Sequence, residues 1–221
     1  MKFLRPVLIV FFVLLVDQCL KIWVKLSFTY NESRKIFDWF YLYYIENEGA
    51  AFGMSLGGEW GKLILSLFRI IAVAVIGYYL IRVVNQKAHW GFITALSFIL
   101  AGALGNIFDS VFYGIIFTES TPSAIAKIFP SQGGYETWLH GRVVDMFYFP
   151  LYEGFLPNWI PLWGGDYFIF FRPIFNIADA SITTGVIMII LFQRIFFREE
   201  KSKNEMPAGD SQSTFTEQEN Q

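Results

Sequence analysis

Two aspartates lie in short motifs that combine carboxylate, amide and small side chains. Asp179 stands in FNIADASITTGV (175–186), three residues after Asn176, and Asp145 stands in GRVVDMF (141–147). Two close carboxylates that share one proton can deprotonate water and protonate a departing nitrogen, because like charges at short range resist joint ionisation. If the fold brings two such carboxyl groups together, they could supply this chemistry as one unit. The residues alone leave open a structural role, in which buried acids only tie helices together.

Two other aspartates, Asp17 and Asp109, are expected at the same membrane level. Asp17 has Lys21 one helical turn later, and Asp109 follows Asn106 near a helix end. A structural interpretation stays open for both, because i,i+4 ion pairs stabilise one helix face and an Asp near a helix end often holds backbone donors. An acid that faces lipid costs about 2.5–3.5 kcal/mol. All four acids are therefore expected to face the bundle interior or a wet cavity.

Composition indicates the class of protein that must position these groups. The chain has 221 residues, of which 54% are hydrophobic and 16% charged, whereas a soluble domain is typically about 25% charged. The net charge of −2 gives no basic surface for nucleic acid. One cysteine and two distant histidines do not form a zinc ligand cluster, and no phosphate-binding glycine loop is present. We therefore expect a membrane protein that uses no metal or other cofactor.

Four windows are long and apolar enough to cross a membrane, which takes roughly 20 helical residues. They predict transmembrane helices at residues 3–24, 63–81, 90–108 and 175–197. The first window begins like a secretory signal peptide but lacks a small-x-small cleavage site, so we interpret it as an uncleaved helix. Lys and Arg concentrate on the side that is cytoplasmic when the N-terminus is inside. Both termini are therefore predicted in the cytoplasm, with outer segments 25–62 and 109–174.

The outer segments and the tail differ in composition from the spans. The stretches IFDWFYLYYI (36–45) and DYFIFFRPIF (166–175) are rich in aromatic and β-branched residues, which predicts a small outer β-sheet. The polar tail, residues 199–221, is predicted to be disordered. Arg69, a charge inside the second span, is expected to snorkel or to pair with an interior acid. The fold class is thus an all-α membrane domain over residues 1–198 with a small β element.

Two hypotheses from other functional classes compete with hydrolysis. Buried acids at one membrane level can form an ion relay, as in a small transporter or proton channel, although here they cluster toward the outer face and do not form a chain across the bilayer. Alternatively, the aromatic outer segments serve as the binding platform of a non-catalytic assembly factor. Changing the acids to amides would stop a peptidase or a relay and leave an assembly factor working.

Five short motifs occur in the order seen in lipoprotein signal peptidase, also called signal peptidase II. They are DQCLK (17–21), NEGAAFG (47–53), AGALGNIFDS (101–110), GRVVDMF (141–147) and FNIADASITTG (175–185). The chain resembles this family from Asp17 to Gly185. The resemblance implies an intramembrane aspartic peptidase of the bacterial inner membrane, which removes the signal peptide of a prolipoprotein before a cysteine that carries diacylglycerol. It also implies an active site near the outer (periplasmic) face, among membrane lipids and under a cradle of outer strands. An oligomer is not implied.

The resemblance further assigns roles to individual residues. The VVD and NxAD motifs imply Asp145 and Asp179 as the catalytic pair. The implied supporting and substrate-binding residues are Asp17, Lys21, Asn47, Gly49, Asn106, Asp109, Arg142 and Asn176. Family members commonly have Arg after the acid of the GN-x-x-D motif, where this chain has Ser110, and Arg142 is a candidate replacement. The 36 residues from Asp109 to Asp145 also exceed the usual family spacing.

Overall fold

The computed structural model describes residues 2–47 and 58–197, without the side chains of residues 58–60 and 62. Its elements are α1 (Leu4–Lys25), β1 (Ser33–Phe37), β2 (Phe40–Asn47), α2 (Gly58–Asn85), α3 (Trp90–Phe108), α4 (Gly114–Ile116), β3 (Val143–Tyr148), β4 (Tyr152–Phe155), β5 (Tyr167–Phe170), β6 (Ile174–Phe175) and α5 (Ile177–Phe196). A π-helical turn, Asp109–Tyr113, joins α3 to α4. The predictions for Gly49 and for the tail 199–221 lie outside the described residues.

Within the described residues, four helical segments are long and apolar enough to cross a membrane, as the sequence predicts. They run over Leu4–Lys25, Leu63–Asn85, Trp90–Ile116 and Ile177–Phe196. The third continues beyond its predicted end, Phe108, through the π-helical turn and α4. The fourth begins two residues later than predicted, because Ile174 and Phe175 form β6 and pair with β3.

The outward faces of these helices are apolar. The exposed large hydrophobic side chains of α1 and α2 include Leu4, Val7, Phe11, Leu15, Ile64, Phe68, Ile71 and Val75. An apolar surface of this extent is unfavourable in water and suits a hydrocarbon environment. The helices therefore use few apolar side chains to pack on one another and leave the remainder for lipid.

Small residues bring α3 and α5 close together. A Cβ atom added at Gly102 would lie 2.2 Å from the backbone oxygen of Ala178, and one added at Gly185 would lie 2.5 Å from that of Ala95. Both distances are far inside van der Waals contact, so the observed helix separation requires glycine at both positions. The contact at Gly102 holds the first turn of α5 against the C-terminal half of α3.

The main sheet is antiparallel, with strand order β1-β2-β3-β6. Its register pairs Ile45 with Asp145 and Phe147 with Phe175. Side chains alternate between the two faces of a strand, and Val144 and Met146 pack into the core beneath the sheet. Asp145, which stands between them, is therefore directed away from that core.

The two predicted strand segments are found, but their pairing differs from one simple sheet. Segment 36–45 contributes to both β1 and β2, which are separated by a turn at Asp38 and Trp39. Segment 166–175 is divided, since β5 pairs with β4 in a separate two-stranded sheet while β6 joins the main sheet. Between them Phe171 has a positive φ of 65° and Pro173 has no backbone donor for a sheet.

Candidate active site

The first turn of α5 is built around a capping box. Asn176 is the N-cap, and its Oδ1 accepts a hydrogen bond of 2.9 Å from the backbone N–H of Asp179. In return, Asp179 Oδ2 accepts one of 3.4 Å from the backbone N–H of Asn176. These bonds satisfy donors that a helix start leaves open. They also fix the Asp179 carboxylate at the positive end of the helix dipole.

Asp145 is held beside this turn by Asn176. The Asn176 amide donates to Asp145 Oδ1 at 2.6 Å and to the backbone oxygen of Val144 at 3.3 Å. Asn47 donates to Asp145 Oδ2 at 3.5 Å, which is a long and weak bond. Asp145 is only 3% exposed. Burial, and then the nearby charge of Asp179, raise the pKa of Asp145 to about 7, although its hydrogen bonds oppose the shift.

Asn106 connects the two acids to the other helices. Its Nδ2 donates to Asp179 Oδ1 at 2.8 Å. Its Oδ1 accepts from Asn176 Nδ2 at 3.2 Å and from Lys21 Nζ at 2.9 Å. Asp145 and Asp179, hereafter the dyad, thus belong to one hydrogen-bonded group although they lie far apart along the chain. Asn176, which the resemblance implies as a supporting or substrate-binding residue, donates from its amide to Asp145, Val144 and Asn106.

Lys21 binds the two remaining acids. Its Nζ lies 2.9 Å from Asp17 Oδ2 and 2.8 Å from Asp109 Oδ2, and all three side chains are at most 1% exposed. Asp17 accepts a 2.8 Å bond from the backbone N–H of Ala178, and Asp109 accepts a 3.3 Å bond from that of Val144. Asp17 therefore links α1 to the start of α5, and Asp109 links the π-helical turn to β3. Both aspartates thus hold backbone next to the dyad residues in place.

Gln18 is a member of this group that the sequence analysis did not single out. Its Nε2 donates to Asp109 Oδ1 at 2.8 Å and to Asp17 Oδ2 at 3.1 Å, and its Oε1 accepts from the Tyr113 hydroxyl at 3.1 Å. Its position beside Asp17 in DQCLK was a usable signal. It supplies donors to the two acids that Lys21 neutralises.

The two arginines considered from the sequence lie in different places. Arg142 Nη1 is 3.2 Å from Glu119 Oε1 and 3.5 Å from Glu46 Oε2, and the guanidinium lies over the ring of Tyr135. Arg69 Nη1 instead donates to Ser110 Oγ at 3.2 Å. Arg69, which lies in no recognised motif, therefore contacts Ser110, the residue that follows the motif acid Asp109.

Comparisons with known proteins agree with the motifs. The model of a family described as "Signal peptidase (SPase) II" matches residues 9–196. A lipoprotein signal peptidase of Porphyromonas gingivalis is 47% identical over 203 residues, which are 91% of this chain and 88% of that protein. One of Amoebophilus asiaticus is 34% identical over 198 residues, which are 86% of this chain and 78% of that protein.

Solved structures resemble the whole arrangement. A bacterial membrane enzyme determined by the in meso method at 2.3 Å resolution superposes with a TM-score of 0.56 at 25% identity, covering 93% of this chain and 94% of that one. Another, determined at 1.9 Å resolution, gives a TM-score of 0.55 at 26% identity and covers 86% of this chain and 92% of that one. The chain therefore belongs to the signal peptidase II family, bacterial membrane peptidases that remove the signal peptides of lipoproteins.

Proposed function

We propose that the chain is an aspartic endopeptidase that uses Asp145 and Asp179 to cleave a prolipoprotein just before its diacylglyceryl-modified cysteine. One observation carries the proposal: Asn176 and Asn106 join the two carboxyl groups in one hydrogen-bonded group. In that group, burial and the charge of Asp179 raise the pKa of Asp145 to about 7. A pair that holds one proton near neutral pH has one member ready to accept a proton and one ready to donate.

The proposed reaction adds water across the amide bond before the cysteine. The ionised carboxylate of the dyad takes a proton from water, and the water oxygen forms a bond to the scissile carbonyl carbon. The protonated carboxyl donates its proton to the carbonyl oxygen. The carbon–nitrogen bond then breaks, and the nitrogen leaves with the proton that the dyad took from water. One hydroxyl of the tetrahedral gem-diol returns its proton to the other carboxylate as the carbon becomes the new carboxylic acid, so the dyad is again singly protonated.

The other polar residues support this chemistry from fixed positions. Asn176 and Asn106 orient the two carboxyl groups, while Lys21 with Asp17 and Asp109 holds the elements that carry them. Substrate contacts by Asn47, Gly49 and Arg142 stay predictions of the resemblance. The peptidase domain over residues 1–198 and the disordered tail, which composition and hydropathy predict, also stay predictions.

The depth of the dyad supports the substrate class. Asp179 is the third residue of α5, so it lies about 3 Å along the helix from its start. Its side chain is half-buried, so water can reach the pair. A lipidated cysteine keeps its acyl chains in the leaflet and its peptide at the interface, where such a shallow dyad can meet the neighbouring bond.

The proposed orientation puts the dyad at the outer face of the inner membrane and both termini in the cytoplasm. The basic side chains at the opposite ends of the spans support it, since cytoplasmic loops carry the excess of Lys and Arg. They are Lys2, Arg5, Arg82, Lys87 and Arg194. Every residue of the proposed site comes from one chain, so the proposal requires no oligomer.

Cleavage of a lipidated prolipoprotein in proteoliposomes tests the proposal. We expect the wild-type protein to release the signal peptide and leave a new N-terminal lipidated cysteine, detected by gel shift and mass spectrometry. Asp179→Asn should abolish the product, whereas Asp166→Asn, at an exposed outer aspartate, should not. Equal cleavage of the unlipidated prolipoprotein would contradict the proposed substrate class, and cleavage by Asp179→Asn at the wild-type rate would contradict the aspartic mechanism.

A further inference from the structure

We propose that Arg69 is a positioning residue of the dyad, which it supplies with a positive charge from α2. This inference rests on the proposed function and adds a part to it. Arg69 donates from Nη1 to Ser110 Oγ at 3.2 Å. Ser110 is itself held in place, because its hydroxyl donates to the backbone oxygen of Asn106 at 3.0 Å and only 3% of the residue is exposed.

The face of α2 that bears Arg69 is the face that meets the site. Ser66, three residues earlier and so on the same side of the helix, is 5% exposed and donates to the backbone oxygen of Leu139 at 2.8 Å. Phe68 and Ile71, on the other side, are 66% and 62% exposed. The packing of α2 therefore turns Arg69 inward, away from its lipid-facing neighbours.

Charge balance indicates what Arg69 does there. Among the described residues, the group contains four carboxyl groups, on Asp17, Asp109, Asp145 and Asp179. Lys21 contacts Asp17 and Asp109 directly, and its charge also acts on Asp145. Arg69 interacts electrostatically with Asp179 first, and then with Asp109 and Asp145. With one proton on the dyad, three of these four carboxyl groups are ionised, and Arg69 adds to Lys21 a second positive charge that acts on the catalytic pair.

The charge of Arg69 should therefore set the position of the acidic limb of the pH–rate profile, the range in which activity falls as pH falls. The charge of Arg69 favours the ionised carboxylate that must accept a proton from water. Without that charge, the dyad reaches its singly ionised state only at higher pH, so activity is lost earlier as pH falls. One unit charge several ångströms away, at an effective dielectric constant near 20, moves such a limb by about one pH unit.

The test is the pH dependence of kcat for cleavage of a lipidated prolipoprotein in proteoliposomes. Arg69→Gln keeps an amide donor for Ser110 but removes the charge, and we expect its acidic limb to lie about one pH unit higher. Arg69→Lys keeps the charge and should keep the limb in place. Arg82→Gln is the matched control on the same helix, because Arg82 is exposed at the opposite end of α2.

A structural role alone would lower kcat at every pH without moving the limb, and that result for Arg69→Gln would overturn the inference. Arg69→Met is a second variant without the charge. If Arg69→Gln does not fold, the pH of the acidic limb of Arg69→Met tests the inference in its place. Dyad variants separate this inference from the function on which it rests. If Asp145→Asn and Asp179→Asn still cleave, the proposed function fails; if they are inactive and the limb of Arg69→Gln is unmoved, only the role of Arg69 fails.

Discussion

The burial and the neighbouring charge that suit Asp145 for the proposed catalysis also make its ionised form destabilise the folded protein. The side chain is 3% exposed, and burial with the charge of Asp179 raises its pKa to about 7 from the ordinary 3.8. The folded state therefore binds a proton that the unfolded chain has already released. The stability that this proton contributes is complete below about pH 4 and is lost as pH rises through about 7.

Asp145→Asn should therefore stabilise the protein in a pH-dependent way. The amide keeps the shape and removes the buried charge, so we expect a gain on the order of 1–3 kcal/mol in unfolding free energy at pH 8. At pH 4 the wild-type carboxyl is protonated, and the gain should vanish. Thermal unfolding at both pH values, followed by tryptophan fluorescence, measures the difference. The same gain at both values would show that the charge of Asp145 is not its source, and Asp166→Asn serves as the exposed control.

At this scale the sequence predicted the acids better than the cation. The family motifs pointed to Asp145, Asp179, Asn106 and Asn176. For the helical residues among them, the rarity of carboxylates and amides in apolar helices was a second signal, whereas Asp145 lies in a strand. Arg69 was recognised only as a charge that must snorkel or pair. Which way it turns depends on the rotation of α2, and tertiary packing sets that rotation through contacts such as Ser66 with Leu139.

At the scale of elements, the separation of α3 and α5 sets the geometry of the dyad. Asn106 of α3 donates to Asp179 of α5, and Gly102 allows the backbones to meet one turn below. The late start of α5 was not predicted, because apolar content continues through Ile174 and Phe175. Only their pairing with β3, which is distant in sequence, makes them a strand and leaves Asn176 as the N-cap.

Gly102→Ala should separate these helices and impair cleavage. Its Cβ would lie 2.2 Å from the backbone oxygen of Ala178, so α5 must shift and the bond from Asn106 to Asp179 must lengthen. We expect at least a tenfold lower kcat, since about 1 Å of misplacement can cost that much or more. The matched control is Gly77→Ala, whose Cβ would meet Leu100 Cδ1 at an ordinary 3.9 Å. Equal activity of the two variants would contradict a role of this contact.

For the whole molecule, composition and hydropathy predicted the class and the four spans, and these are confirmed. The division of the outer strands into two sheets was not predicted, because strand pairing is non-local and a strand-rich stretch does not reveal its partner. Membership of the signal peptidase II family also decides among the three functional hypotheses. It favours the peptidase over the ion relay and the assembly factor.

The proposed orientation predicts which loops a membrane-impermeant maleimide reaches. In a Cys19→Ser background, Ser123→Cys, in the exposed loop after α4, should react in spheroplasts. Gln86→Cys, in the exposed connection between α2 and α3, should react only in inverted vesicles, because that connection is placed in the cytoplasm. Mass-tag gel shifts measure both reactions. The reverse pattern would show that the protein has the opposite orientation.

The central claim is that Asp145 and Asp179 act as one catalytic group. The single-turnover rate of prolipoprotein cleavage by Asp145→Asn, Asp179→Asn and the double variant tests it most directly. Residues that act as a unit are strongly non-additive, so we predict that each single change lowers the rate on the order of 10⁴-fold and that the double change lowers it no further. A single variant that cleaves within tenfold of the wild-type rate, in a protein that folds and inserts normally, would contradict the account.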